Sequence, residues 1–390
     1  MSMNLPTIPE SAYPKRWEMV KSLMEREGID FLLAYSDDHA TFGPAFARWL
    51  SNWFVHFEPV CILFTQKSDP VMVVGVESIS FAKIHSQIKD IRVLKDFTHP
   101  DHDYPYSEAE NLVDIVSSII DPKSCKKMGI AGRSLISHDL FELFQKVLPG
   151  EWVTLDEEVG MLRAIKTPEE LEVTRYAYKI AEAGLAAAID AIKPGITERQ
   201  VAAEAEYVMR KMGAECYGID IMVASGSVNT SPILSRTTMR EIQKDDFVML
   251  TFAPRYEGYH GALGIPVLIG NPPDEVKRAT EAAIRAQKAA AALLREGQGR
   301  EPDAEGRRIM EEAGFGRNFM YSGVHGIGLI EFEAPIFGPY SKGTMKENMV
   351  MSIDIPVFDG DWGGLRLEDG YIILKDGIEK LADFEYYVHK

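Results

Sequence analysis

Between residues 17 and 27 apolar side chains recur every three or four positions, the spacing of a helix with one buried face. The runs that follow are of another kind. Residues 31–35 (FLLAY), 60–65 (VCILFT) and 70–76 (PVMVVGV) are short, rich in branched and aromatic residues, and bounded by Gly, Pro, Asp and Ser. These are strand signals. Residues 139–147 return to helical spacing, so the first part of the chain predicts an α/β domain. A loop rich in His, Asp and Pro, residues 98–106, interrupts it.

The pattern changes near Leu162. Thr167-Pro168-Glu169-Glu170 places Thr at a helix N-cap, Pro at the first helical position and Glu three residues after the cap. An Ala-rich helix is predicted from there to about Ile192, where Lys193-Pro194-Gly195 stops it. Thr197-Glu198-Arg199-Gln200 repeats the capping signal and opens a second helix. Two more are predicted over 274–296 and 303–313. Residues 246–252 and 259–269 read as strands joined by a turn at Glu257-Gly258. Residues 349–358 and 364–374 form a second such pair. The later part of the chain is therefore expected to be α+β, an antiparallel sheet backed by helices. The boundary is placed at 158/159, giving domains 1–158 and 159–390.

Composition narrows the field. The 390 residues are 46% apolar and 26% charged, the balance of a globular protein. The net charge is −17, from 59 Asp and Glu against 42 Lys and Arg, and no basic run is present. A nucleic-acid partner is not expected. No apolar run reaches the roughly 18 residues of a membrane span, and the first 17 residues lack a signal-peptide core, so a cytoplasmic protein without a membrane partner is expected. Cys61, Cys125 and Cys216 share no metal or disulfide spacing.

Several landmarks in the last 230 residues, in this order and spacing, carry a family resemblance. They are Met161 to Glu170 (MLRAIKTPEE), Lys193 to Glu198 (KPGITE), His325-Gly326-Ile327-Gly328-Leu329, Met349 to Asp354 (MVMSID) and Gly364 to Asp369 (GLRLED). Together they resemble the pita-bread family of methionine aminopeptidase, aminopeptidase P, prolidase and creatinase. The α/β segment before them resembles the N-terminal domain of the creatinase, prolidase and aminopeptidase P branch. The resemblance implies a homodimer acting on a small-molecule substrate.

It also implies five metal ligands: two Asp, a His and two Glu. Here Thr251 and Ala262 stand at the two Asp positions, His325 at the His, Asp354 at one Glu and Glu368 at the other. Phe332 precedes Glu333-Ala334-Pro335, where peptidases of the family carry a second His. These departures resemble creatinase, which lacks the Asp pair and works by acid–base chemistry. Creatine itself does not fit, because Gly264 stands where creatinase has its substrate-holding Glu and residues 232–235 contain no His.

The expected function is thus a metal-independent, creatinase-like hydrolase or lyase cutting a C–N bond, with no cofactor. Its expected catalytic residues are His325, Glu368, Asp354 and His260. His325 suits a proton shuttle, or is a core His bonded to Asp354 or Glu368. His260, two residues before Ala262, is expected to point into the same cavity by strand alternation. Asp354 and Glu368, without a metal, should repel, so that one carries a raised pKa, unless Arg366 neutralises the carboxylate. Arg366, Thr251, Glu333, Trp362 and Arg48 are the expected substrate-binding residues. Arg48 and Trp49 either reach a partner's pocket, as the resemblance implies, or belong to the core. Two alternatives stand beside this reading: a catalytically silent binding protein, and a mononuclear metal enzyme with Xaa-Pro peptidase-like activity and its ion on His325, Asp354 and Glu368, with His260 as a possible fourth ligand.

Overall fold

The chain folds as two compact units, Pro9–Arg163 and Ala164–Lys390, the second joined by the described residues ahead of Pro9. The structure is a computed structural model that describes residues 5–99 and 102–390. Pro100 and Asp101 of the 98–106 loop, and the first four residues of the N-terminal segment, lie outside the described residues.

In the first unit the three apolar runs become buried strands, Phe31–Ser36, Val60–Thr65 and Val71–Val74. They form the antiparallel centre of a six-stranded sheet. Ile91–Val93, Lys127–Ala131 and Glu151–Thr154 join in parallel. Parallel neighbours need crossovers, and the helices Leu112–Ile119 and His138–Val147 bury Ile115, Val116, Phe141 and Phe144 in the core beneath this sheet. The helix Ala45–Ser51 is buried on every side, which answers why its sequence, AFARWLS, shows no amphipathic period.

In the second unit both capping boxes form. Thr167 Oγ1 accepts the N–H of Glu170 and the Glu170 carboxylate accepts the N–H of Thr167, opening α1 (Pro168–Ala191). Thr197 and Gln200 do the same for α2 (Glu198–Lys211). The other oxygen of Glu170 accepts the Tyr259 hydroxyl at 2.6 Å, tying the start of α1 to the strand Tyr259–His260.

The main sheet has nine strands. Its path uses β1 (Met222–Ser225), β2 (Phe247–Phe252), β3 (Leu263–Leu268), β4 (Val324–Gly326), β5 (Glu333–Ile336), β6 (Val350–Gly360) and β7 (Gly363–Leu374). Their order is β5-β4-β6-β7-β3-β2-β1, with Gly377–Lys380 and Val388–His389 added at the side. The path is antiparallel throughout. Helices α3 (Asp274–Leu293) and α4 (Glu301–Glu312) pack on the face that carries Ile355, whose Cδ1 lies 3.6 Å from where a Cβ on Gly306 would sit. Alternation then turns Asp354 to the other face. The observed arrangement, α/β followed by an antiparallel sheet backed by helices, is the one the sequence pattern predicts.

Candidate active site

Strand register brings the candidate residues into one row. Thr251 of β2 lies opposite Gly264 of β3, Gly264 opposite Glu368 of β7, and Glu368 opposite Asp354 of β6. Directly paired residues share a face, as do residues two apart, so Ser352 and Arg366 belong to the same face. His325 of β4 pairs with Ser352 and completes the row. Gly264 matters here for what it lacks. A Cβ there would come within 3.2 Å of Arg366 Cγ and 3.3 Å of Glu368 Cβ, so the bare α-carbon makes room for the Arg366 stem.

At the centre of the row His325, Glu331 and Glu368 offer ligand atoms all within 4.8 Å of one another, the one such group of His, Cys, Asp and Glu among the described residues. His325 and Glu368 are buried and Glu331 is half-buried. The His325 Nδ1 lies 3.0 Å from the Gly326 carbonyl, which can only accept, so Nδ1 carries the hydrogen and Nε2 holds the lone pair. That Nε2 makes no hydrogen bond within the protein. Glu368 Oε1 accepts the Ser352 hydroxyl at 2.8 Å, while its Oε2 is also without a partner. Burial, with Asp354 and Glu331 nearby, pushes Glu368 well above the usual carboxylate range. Removal from water pushes Glu331 up as well, against the pull of His325 and Arg366.

The residues fit a divalent ion. One imidazole nitrogen with its tautomer fixed, two carboxylates, and two buried ligand atoms lacking any other partner make a mixed nitrogen–oxygen set. A cation among them offsets the cost of burying both carboxylates, the main cause of their raised pKa values.

Asp354 stands outside this group. Its Oδ2 accepts the Tyr321 hydroxyl and lies 3.4 Å from Arg366 Nε, so the sequence-based ligand set of His325, Asp354 and Glu368 is not the one the structure assembles. Arg366 Nη2 donates to the Tyr321 oxygen at 2.7 Å. Neutralisation by Arg366 was one of the two readings of the carboxylate pair, and it falls on Asp354. Asp354, paired across from Glu368, still acts on it as a like charge, as expected, and Glu331 is the further acid that shares its ligand group.

The remaining candidates separate. Thr251 is fully buried in the row with its hydroxyl unpartnered. His260 is buried but belongs to a three-stranded sheet with Pro254–Tyr256 and Cys216–Tyr217. The strand breaks at Gly261-Ala262, so alternation does not carry from Ala262 to His260. Its Nδ1 donates to the Gly328 carbonyl at 2.8 Å. Its Nε2 faces Gly218, where a Cβ would lie 2.8 Å from both that nitrogen and the Glu331 Cβ. Burial lowers the His260 pKa to about 4, so the ring is neutral near pH 7. Glu333 is engaged by Lys166 at 3.0 Å, both side chains buried. Trp362, at the β6–β7 turn, packs on Phe247 and Phe315, with Phe247 four positions along β2 from Thr251. Arg48 lies in the first unit, buried, with its guanidinium 3.9 Å over the Phe54 ring.

Two residues of the site were missed from sequence: Glu331 and Tyr321. Phe332, already singled out in the sequence, lies beside them, its ring 4.1 Å from that of His325 and edge-on to Tyr321.

Residues 172–375 match the model of metallopeptidase family M24. The chain belongs to that family. Residues 16–165 of this M24 protein match the creatinase/prolidase N-terminal domain. It is 32% identical to the Xaa-Pro dipeptidase of Pyrococcus furiosus over 265 residues, 67% of this chain and 75% of that one. Among solved structures it resembles the prolidase of Pyrococcus horikoshii, with a TM-score of 0.81, 26% identity, and 95% and 99% of the two chains covered. The Xaa-Pro dipeptidase of Bacillus anthracis matches with a TM-score of 0.81 and 25% identity over 97% and 100% of the chains.

These findings correct the expected chemistry. A metal-independent, creatinase-like enzyme without a cofactor does not agree with a metallopeptidase family match, relatives named Xaa-Pro dipeptidase, and a site that gathers three ligand groups. The physical reason for the error is Glu331. The loss of acid at Thr251 and Ala262 was counted, whereas the carboxylate supplied from the segment after His325 was not.

Proposed function

We propose that the chain is a metal-dependent hydrolase of the peptide C–N bond, with Xaa-Pro dipeptides as its substrate class and one divalent ion held by His325 Nε2, Glu331 and Glu368. The observation that carries this is the convergence of those three groups within 4.8 Å, with the His325 and Glu368 ligand atoms otherwise unpartnered. The names of the relatives support the substrate class. Thr251 and Ala262 supply no carboxylate, which supports one ion rather than two.

A divalent ion bound there supplies Lewis-acid chemistry at a carbonyl. The chain's own groups do the rest. Gly326 fixes the His325 tautomer and Ser352 fixes the Glu368 carboxylate. Asp354 Oδ1 is buried and unpartnered, an acceptor for a proton released by water. Arg366, with Nε not hydrogen-bonded, meets an anionic end of the substrate, and the Thr251 hydroxyl holds a polar atom of it. Residues 159–390 form the catalytic domain in this reading.

The test is elemental analysis of protein purified without chelator, followed by hydrolysis of an Xaa-Pro dipeptide panel with and without EDTA. About one ion per chain and EDTA-sensitive turnover are expected. Turnover that survives complete metal removal overturns the reading. Bound metal with no turnover of any member of the panel leaves a silent binding protein instead.

A further inference from the structure

We propose that Tyr321 is the proton donor to the leaving nitrogen, recharged by Asp354 and held by Arg366. This rests on the peptidase reading above and adds a catalytic residue to it.

Amide hydrolysis needs a proton on nitrogen as the C–N bond breaks, because an amide anion is a very poor leaving group. The candidate donors within the site are few. His325 is committed as a ligand, with its Nδ1 hydrogen on the Gly326 carbonyl. Phe332, which carries no proton, fills the space against the His325 ring. His260 is neutral, with its Nδ1 hydrogen on the Gly328 carbonyl. Tyr321 also donates its one hydroxyl hydrogen, but to Asp354 Oδ2, a carboxylate that can take up a proton and so release it, which a backbone carbonyl does not do. Its ring packs edge-on to Phe332, one residue removed from the His325 imidazole, and it is half-buried. Its hydroxyl sits between an acceptor, Asp354 Oδ2, and a donor, Arg366 Nη2 at 2.7 Å. Burial and the Asp354 charge push the phenol well above its ordinary range, so its proton leaves only with the Arg366 cation beside it to hold the phenolate.

The step balances. The oxygen of water bonds to the scissile carbonyl carbon and one water proton passes to Asp354. The C–N bond breaks with its electron pair on nitrogen, which takes the Tyr321 hydroxyl proton. The phenolate, stabilised by the Arg366 cation, recovers a proton from Asp354. The second water proton stays with the acid product. Nothing beyond water and substrate is consumed.

The experiment compares wild type, Tyr321→Phe and Asp354→Asn on an Xaa-Pro dipeptide and on an ester of the same Xaa acyl group with an open-chain 2-hydroxy acid, whose ester oxygen takes the place of the scissile nitrogen. Bound metal and urea midpoint are measured on each protein. An alkoxide leaves with far less need of a proton, so the two substrates separate proton donation from packing. For Tyr321→Phe on the dipeptide we expect kcat to fall about 10²–10⁴-fold with KM within about twofold. On the ester the loss stays below about tenfold, with metal content unchanged and the urea-unfolding free energy lowered by no more than about 3 kcal/mol. Equal losses on the two substrates, or no loss on the dipeptide, overturn the relay while leaving the peptidase reading intact. Wild-type protein that turns over neither substrate removes the peptidase reading, and the relay falls with it.

Discussion

Glu331 and Glu368 bring their carboxylates within ligand distance of each other although they arrive from different parts of the fold, one from the loop after β4 and the other from the middle of β7. Two carboxylates so placed, both raised by removal from water, favour a shared proton or a cation between them. Replacing Glu331 by Gln removes one charge and one ligand while keeping the shape. The expected result is a loss of metal affinity of more than about 100-fold, exceeding the 10–100-fold typical of an outer partner. Equilibrium dialysis with Mn²⁺ or Zn²⁺ measures it. Undiminished affinity in Glu331→Gln would take this residue out of the site.

The same cluster makes folding stability depend on metal. At a concentration about 100-fold above its Kd, a ligand that binds only the folded state adds about 2.7 kcal/mol. For a chain of 390 residues a Tm rise of roughly 3 °C is expected on adding the ion to metal-free protein. In Glu331→Gln the rise at the same concentration should shrink below about 1 °C. A scanning measurement in which both proteins rise equally would place the ion elsewhere.

Ser352 lies opposite His325 and donates to Glu368 Oε1, so it sets which carboxylate oxygen faces the imidazole. Ser352→Ala leaves every proposed ligand in place. It should weaken metal binding by about 10–100-fold without lowering the urea-unfolding free energy of the metal-free protein by more than about 1 kcal/mol. If affinity holds, the hydroxyl only satisfies a buried oxygen.

Much of this architecture is legible in the residues themselves. Thr167 and Thr197, each followed three positions later by Glu or Gln, mark two helix starts to the residue. Glu257-Gly258, both with positive φ, make the expected turn, with Gly258 the residue whose type favours it. His325, Asp354, Glu368 and Arg366 lie on regular strands, where alternation and register bring them together without further information. Glu331 does not. The pairing of β4 with β5 slips between His325 and Gly326, and the chain folds back so that the Gly328 N–H donates to the Ile330 carbonyl. No period survives that turn, and the only sequence signal was an acid six positions after the His. Tyr321 likewise sits in irregular chain ahead of β4. Alternation from Ala262 does not place His260 either, since the strand carrying it ends there and a new one begins at Leu263.

The pH dependence of His260 can be read without substrate. In the unfolded chain it takes up a proton near pH 6.5, whereas burial and the Arg255 charge delay that uptake to about pH 4 in the folded protein. Between those values the unfolded state binds more protons, so stability falls as pH falls from about 6.5 to about 4 and levels off below. The contribution lost is ~3 kcal/mol. Urea unfolding of metal-free wild type and His260→Gln across this range should show that much more loss in the wild type, because the other titrations are common to both. Parallel curves would mean that the imidazole is not held neutral by its surroundings.

Glu333 was expected to bind substrate, and its surroundings argue for a different duty. Its Oε1 pairs with Lys166 at 3.0 Å, both side chains being nearly inaccessible, and its Oε2 accepts the Ile330 N–H at 3.3 Å. That second bond holds the segment leading into Glu331. Lys166→Met strands a buried carboxylate and should cost about 3–5 kcal/mol in urea unfolding. Lys166→Met combined with Glu333→Leu removes both charges and should recover most of that loss, while metal affinity falls because the bond to the Ile330 N–H is lost with the carboxylate. A substrate-binding Glu333 predicts the reverse: stability little changed in Glu333→Leu, metal affinity intact, and KM for a dipeptide raised by tenfold or more, about 1.4 kcal/mol. Stability, metal affinity and KM measured on the same three variants therefore decide between a strut beneath Glu331 and a contact with substrate.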